Sequence, residues 1–191
     1  MHFKITQMIQ PIYLYGHPVL RQEAEDITPD YPELQKLIVD MFETMYNADG
    51  IGLAAPQIGK SIAVFVIDGT PLAEDFPECK DSKMVFINPQ LDIIEDMDPV
   101  SRPEGCLSLP GLSENVKRVE HVRLEWVDEN FQPHVQEFSG FLSRIIQHEY
   151  DHLLGEVFTD HIAPIRKQMI RNKLHNMERG KAKCAYRTVS K

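Results

Sequence analysis

His148-Glu149-Tyr150-Asp151-His152 places two histidines four residues apart, with a carboxylate directly after the first. On an α-helix, positions i and i+4 stack on one face, so both imidazoles can converge on a single metal ion. Glu149 is rotated ~100° from His148, beside such an ion and outside its coordination, where a carboxylate can act as general base on a water. With 8 histidines in 191 residues, chance supplies only ~0.03 such patterns. The competing account is a pair of core histidines, each of which would need its own buried partner; a shared metal would satisfy both.

Working outward, Ser139-Gly140 offers a helix start and Gly155 a stop. Between them Phe141, Leu142, Ile145, Ile146, Leu153 and Leu154 lie along one broad apolar face, which predicts a mostly buried helix of roughly four turns. Upstream, Asp30-Tyr31-Pro32-Glu33 reads as a capping box, followed by Leu34, Leu37, Ile38, Met41, Phe42, Met45 and Tyr46 at helical spacing up to Gly50. Gly16-His17-Pro18-Val19 punctuates an extended N-terminal segment. Residues 62–68 are a short β run buried on both faces, and residues 83–95 read as two strand pieces split by Asn88-Pro89. Val122, Leu124 and Trp126 alternate with Arg123 and Glu125, and a turn at Asp128-Glu129-Asn130 leads to a hairpin partner at residues 135–138. Pro164 opens a last helix with Ile165, Met169, Ile170, Leu174 and Met177 inward. The expected class is α+β, with antiparallel strands packed around a central HExxH helix and helices towards both ends.

A length of 191 residues, 42% apolar and 26% charged, fits one globular domain with a sizeable core. No apolar run reaches the ~20 residues of a membrane span, and Lys4, Gln7, Gln10 and Pro11 interrupt the N-terminus, so no signal-peptide core is expected. Cys79, Cys106 and Cys184 are odd in number, which favours a reducing cytoplasm over a disulfide framework. The net charge of −9 is unevenly spread: residues 164–191 hold nine Lys/Arg against one acid, +8, and the first 163 hold eleven bases against 28 acids, −17. General electrostatics argue against nucleic acid or DNA binding by the body, while the basic tail is free to seek it.

An open catalytic metal site needs a third protein ligand. A metzincin-type continuation would need that ligand where Phe158 stands, and a distant downstream carboxylate could only be Glu178. Glu104-Gly105-Cys106-Leu107-Ser108-Leu109-Pro110 instead offers a cysteine in a Pro-bounded loop, able to approach a metal as thiolate, although a lone cysteine is more commonly a small buried hydrophobe. Gly50-Ile51-Gly52-Leu53-Ala54-Ala55-Pro56-Gln57 lets the backbone approach a ligand closely and stiffens before Gln57. Taken together, GxGxAAxQ, EGCLS and QHExDH in this order resemble the peptide deformylase family, with compatible connecting elements over about residues 11–165.

The resemblance implies Cys106, His148 and His152 as ligands of one ion per chain, Fe²⁺ with Zn²⁺, Ni²⁺ or Co²⁺ as substitutes, and water or hydroxide at the open position. It implies Glu149 as general base and acid in the attack of that hydroxide on the formyl carbonyl, and Gln57 with the Leu107 N–H as oxyanion donors. Ile51, Phe141 and Ile145, with the stem of Arg144, are candidates for the methionine pocket. The Gly52 and Gly105 backbones would bind the substrate main chain as an added strand. Products would be formate and a nascent chain with a free methionine, in the cytoplasm, with ribosome contact through the tail. Residues 1–165 would form the catalytic part, and residues 166–191 a basic helix and tail of the same domain. Two other accounts fit HExxH: a zinc peptidase acting on unformylated peptides, and a closed structural zinc site that adds His161 or Cys79. Ser113 stands where some family members carry a substrate-facing Arg, and the 70–83 loop looks long. Glu104 and Arg118 are expected to pair and hold the cysteine loop, the alternative being two solvated charges.

Overall fold

The computed structural model describes residues 8–191; the leader expectation for the first seven residues lies outside them. In chain order the elements are β1 (Ile12–Tyr13), α1 (Leu34–Asn47), β2 (Gly52–Ala54), β3 (Val64–Asp68), β4 (Lys83–Ile93), β5 (Val100–Gly105), β6 (Ser113–Arg118), β7 (His121–Val127), β8 (Pro133–Ser139), α2 (Gly140–Leu153), α3 (Pro164–Glu178) and β9 (Thr188–Val189). The protein is α+β. Five antiparallel strands run in the order β2-β3-β4-β7-β8, β5 and β6 form a separate hairpin, and β1 and β9 form a two-stranded pair. That last pair is parallel, an exception to the antiparallel expectation.

Alternation along β3 explains the layering. Phe65 and Ile67 point into a cluster with Phe86, Trp126 and Phe138 and the Leu142, Ile145 and Ile146 side chains of α2. Val64 and Val66 point the other way, against Leu37, Ile38, Met41 and Met45 of α1. Successive strand side chains face opposite sides, so a strand between two helices must be apolar at every position, as the continuous run showed. In β4, Asn88 adopts a positive φ of 50° and its side chain bonds both Ile27 N–H and Ile27 O at 2.9 and 2.8 Å. The register shifts there: residues 83–87 pair with β3, and residues 90–93 pair with β7. The β7–β8 hairpin forms where the turn residues indicated.

Three local expectations need correction. The capping box before α1 does not form: Glu33 is left-handed with no side-chain cap, and Thr28 engages the Asp30 carboxylate. Ser139 does not cap α2 either. Glu78 reaches across from the 70–83 loop to accept the Phe141 N–H at 2.7 Å, a carboxylate at the positive end of the helix. That loop, read from sequence without a role, therefore starts the HExxH helix, and its Phe76 stacks on Phe141 with ring centroids 4.2 Å apart. In α3 only Ile170, Leu174 and Met177 pack inward, against Val116, Val157 and Phe158. Ile165 and Met169 are 63% and 66% exposed, because the helix touches the body along one narrow stripe and these two lie off it.

Candidate active site

Helix α2 carries His148 and His152 one turn apart, and the loop after β5 brings Cys106 to meet them. The Cys106 Sγ is 3.2 Å from His152 Nε2, and the ligand atoms of the three residues all lie within 4.8 Å of one another. Burial would raise the Cys106 thiol, but the His152 and His148 rings hold it down at about 5, so the sulfur is a thiolate at neutral pH. Burial works against a charged His148, yet its hydrogen bonds to Cys106 and Glu104 hold it well above the usual imidazole value. One thiolate and two imidazoles suit a divalent first-row metal, which displaces the imidazole proton. Among the described residues no fourth side chain joins the three. His161 is engaged by Asp151 and Glu156 at 3.0 and 3.3 Å, and Cys79 lies in the apolar core beside α2.

Behind the histidines lies a buried ion network. His148 Nδ1 sits 3.0 Å from Glu104 Oε2, which leaves Nε2 for the site. Arg118 donates to both Glu104 oxygens at 2.7 and 3.0 Å and to Asp151 at 2.8 Å. Arg144 donates to Glu104 and Glu120 at 2.7 and 2.9 Å and to the Val116 and Val100 carbonyls. Burial alone would raise the Glu104 carboxyl; the His148 and Arg118 hydrogen bonds hold it well below the usual carboxylate range. The Glu104–Arg118 pair is thus present and buried. The wider network was not legible in sequence, since Arg144 and Glu120 carry no motif signal; only the position of Glu104, two residues before the cysteine, hinted at it.

In front of the histidines opens a cavity of about 580 Å³. Ile51, Gly52, Gln57, Gly105, Cys106, Leu107, Phe141, Arg144, Ile145, His148 and Glu149 all line it; of the expected ligands, catalytic groups and substrate contacts only His152, fully buried, stands behind the wall. Gln57 accepts the Ala54 N–H at 2.8 Å, which turns its amide NH₂ towards Ser108 Oγ at 3.2 Å and Cys106 Sγ at 3.4 Å. The Leu107 N–H donates to no group among the described residues. Glu149 is buried, and its Oε2 has no hydrogen-bond partner among the described residues. Burial pushes its carboxyl up to about 7, within the range useful to a general base. A Cβ at Gly52 would run into the Glu149 carboxylate, so a larger residue there would displace that side chain. Gly52 lies on β2, the edge strand of its sheet, where a peptide can add as a further strand. Lys183, Cys184 and Tyr186 also line the cavity; sequence reasoning treated their segment only as a charged tail.

The fold and site define an α+β protein whose sulfur–nitrogen cluster could hold a metal ion. The chain belongs to the polypeptide deformylase family, whose model matches residues 9–168. A peptide deformylase of Christiangramia forsetii is 45% identical over 187 residues, covering 94% of this chain and 95% of that one; one of Salinibacter ruber is 44% identical over 188 residues, covering 96% of each. The solved peptide deformylase of Thermus thermophilus superposes with a TM-score of 0.79 at 37% identity, over 91% of this chain and all of that one. Members of the family are metal-dependent enzymes that remove the formyl group from an N-terminal methionine.

Proposed function

We propose that this chain hydrolyses the formyl group from the N-terminal formylmethionine of nascent polypeptides, with α2 as the organising centre of the fold. Cys106, His148 and His152 would hold one divalent ion, Fe²⁺ as the resident metal and Zn²⁺, Ni²⁺ or Co²⁺ as substitutes. Bound there, the ion supplies Lewis-acid activation of the attacking water. Glu149 takes the proton of that water and returns it to the leaving amine, so that formate and a free methionine amine result. The Gln57 amide and the Leu107 N–H donate to the oxyanion that forms on the formyl carbonyl. Ile51, Phe141 and Ile145, with the stem of Arg144, take the methionine side chain; the backbones of Gly52 and Gly105 align the peptide. The observation that carries this assignment is the unpartnered Glu149 Oε2 beside a three-member S,N,N donor set with no fourth side chain among the described residues. A closed structural site would leave neither.

The test is formate release from formyl-Met-Ala-Ser beside cleavage of the unformylated peptide, with elemental analysis of anaerobically purified protein. Formate release with no peptide cleavage supports the assignment; cleavage of the free peptide would point to a peptidase. Substrates that emerge from ribosomes place the enzyme in the cytoplasm; no described helix is long and apolar enough to cross a membrane. Residues 1–165 would carry catalysis and residues 166–191 a basic helix and tail, the latter contacting ribosomal RNA through phosphates. Co-sedimentation of ribosomes with an Arg171→Gln/Lys173→Gln variant tests that contact on the exposed face of α3. Equal pelleting with the parent would remove it.

A further inference from the structure

Beyond α3 the chain turns back across the body instead of leaving it. Thr188 and Val189 pair in parallel with Ile12 and Tyr13, and the Ile12 and Leu14 N–H groups donate to the Arg187 and Val189 carbonyls at 2.9 and 2.8 Å. Just before this strand, the Tyr186 hydroxyl donates to the Leu107 carbonyl at 2.7 Å. On the other side of the pair, the Tyr15 N–H donates to the Ser108 carbonyl at 2.9 Å, and within the loop the Leu109 N–H donates to the Cys106 carbonyl at 2.9 Å. The three carbonyls after Gly105 are therefore each held, one from within the loop and two from opposite ends of the chain. A peptide unit is planar, so holding Cys106 O and Leu107 O fixes the two planes that flank the Leu107 Cα. The Leu107 N–H, part of the first plane, is left without a partner among the described residues.

We propose that the C-terminal strap is a working wall of the substrate cleft and that Tyr186 is a positioning residue: by holding the Leu107–Ser108 peptide it fixes the Leu107 Cα from one side, so that the N–H of the preceding Cys106–Leu107 peptide meets the formyl oxygen. The strap's role rests on the deformylase function proposed above. An oxyanion donor stabilises charge only when it already stands at hydrogen-bond distance from where that charge develops, and small misplacement lowers rate more than ground-state binding. Loss of the Tyr186 hydroxyl should accordingly act on kcat and leave KM nearly unchanged. The aromatic ring, which lines the cleft with Lys183 and Cys184, would stay.

Tyr186→Phe removes that one hydroxyl. We expect kcat for formate release from formyl-Met-Ala-Ser to fall about tenfold, less than the ~10²–10³ lost with a direct donor. KM should change less than twofold, with metal content at the parent level. Amide hydrogen exchange should rise across residues 106–109 and stay at the parent level across residues 12–14 and 187–189, showing that the strap still docks. A chain ending at Gly180 should lose at least as much kcat. A Tyr186→Phe protein with kcat within twofold of the parent, or with unchanged exchange at residues 106–109, would overturn the proposal. Absence of formate release by the parent would instead sink the functional assignment, while the exchange comparison would still report on positioning.

Discussion

Glu104, near the end of β5, and Leu107, in the loop that follows, stand three residues apart and live in opposite surroundings. The Glu104 oxygens are saturated by Arg118, Arg144 and His148, whereas the Leu107 N–H has no partner among the described residues. The same contrast divides the whole site. Behind the histidines Glu120 and Asp151 are paired as well, His152 Nδ1 being the exception, while in front the Glu149 Oε2 is unpartnered among the described residues and the Gln57 NH₂ is turned to Ser108 and Cys106. Buried unpaired polar groups cost stability, so on the cavity side the Glu149 Oε2 and the Leu107 N–H mark where the protein forgoes pairing to keep an acceptor and a donor ready. On the proposed function, the paired side would hold the ligands still and the open side would do the chemistry.

Cys106→Ala attacks the point where the two sides meet and should have the largest effect. Two imidazoles without the thiolate make a weak site, so metal and formate release should be lost together, by elemental analysis and activity on one preparation. Full metal content in this variant would show that the donor set is misassigned. Glu104→Gln attacks the saturated side. It leaves Arg118 and Arg144 short of counter-charge in a buried setting and should lower the unfolding free energy by about 3–5 kcal/mol, with a ~10–100-fold loss of metal affinity through His148. Adding Arg118→Met should recover part of that stability, and denaturant titration of the four proteins gives the coupling. Because Glu104 is held well below the usual carboxylate range, its contribution is complete at neutral pH and is lost only as pH falls through that depressed value. Gln57→Ala attacks the open side: kcat should fall ~10²-fold, with a stability loss of about 1–3 kcal/mol from the Ala54 N–H left without an acceptor, smaller than that of Glu104→Gln. A large stability loss with normal kcat would erase the distinction between the two sides.

What could be read from sequence is what is local in the chain. The His148–His152 spacing, the continuous apolar run of β3 and the turn between β7 and β8 each depend on neighbours a few residues away. Eight of the cavity residues, Ile51, Gly52, Gln57, Gly105, Cys106, Leu107, His148 and Glu149, came from three such short motifs. What stayed hidden depends on distant partners. The cap of α2 comes from Glu78, 63 positions before Phe141. Tyr186 meets Leu107 across 79 positions, in a segment whose charge drew attention away from its strand. Arg144 sits on the face of α2 that also lines the cavity, and nothing in its helix shows that its guanidinium is bound by Glu104 and Glu120. Periodicity marked the apolar residues of α3 but could not tell which of two adjacent stripes packs, hence the misplacement of Ile165 and Met169.

Glu149→Gln separates holding from chemistry most directly, since it changes one atom of an unpartnered carboxylate and none of the three ligands. Metal content and formate release should be measured on the same preparation. The account predicts parent-level metal and a kcat lower by ~10²–10⁴-fold, the range for loss of a general base. A Glu149→Gln protein that keeps near-parent kcat, or that loses its metal, would contradict it.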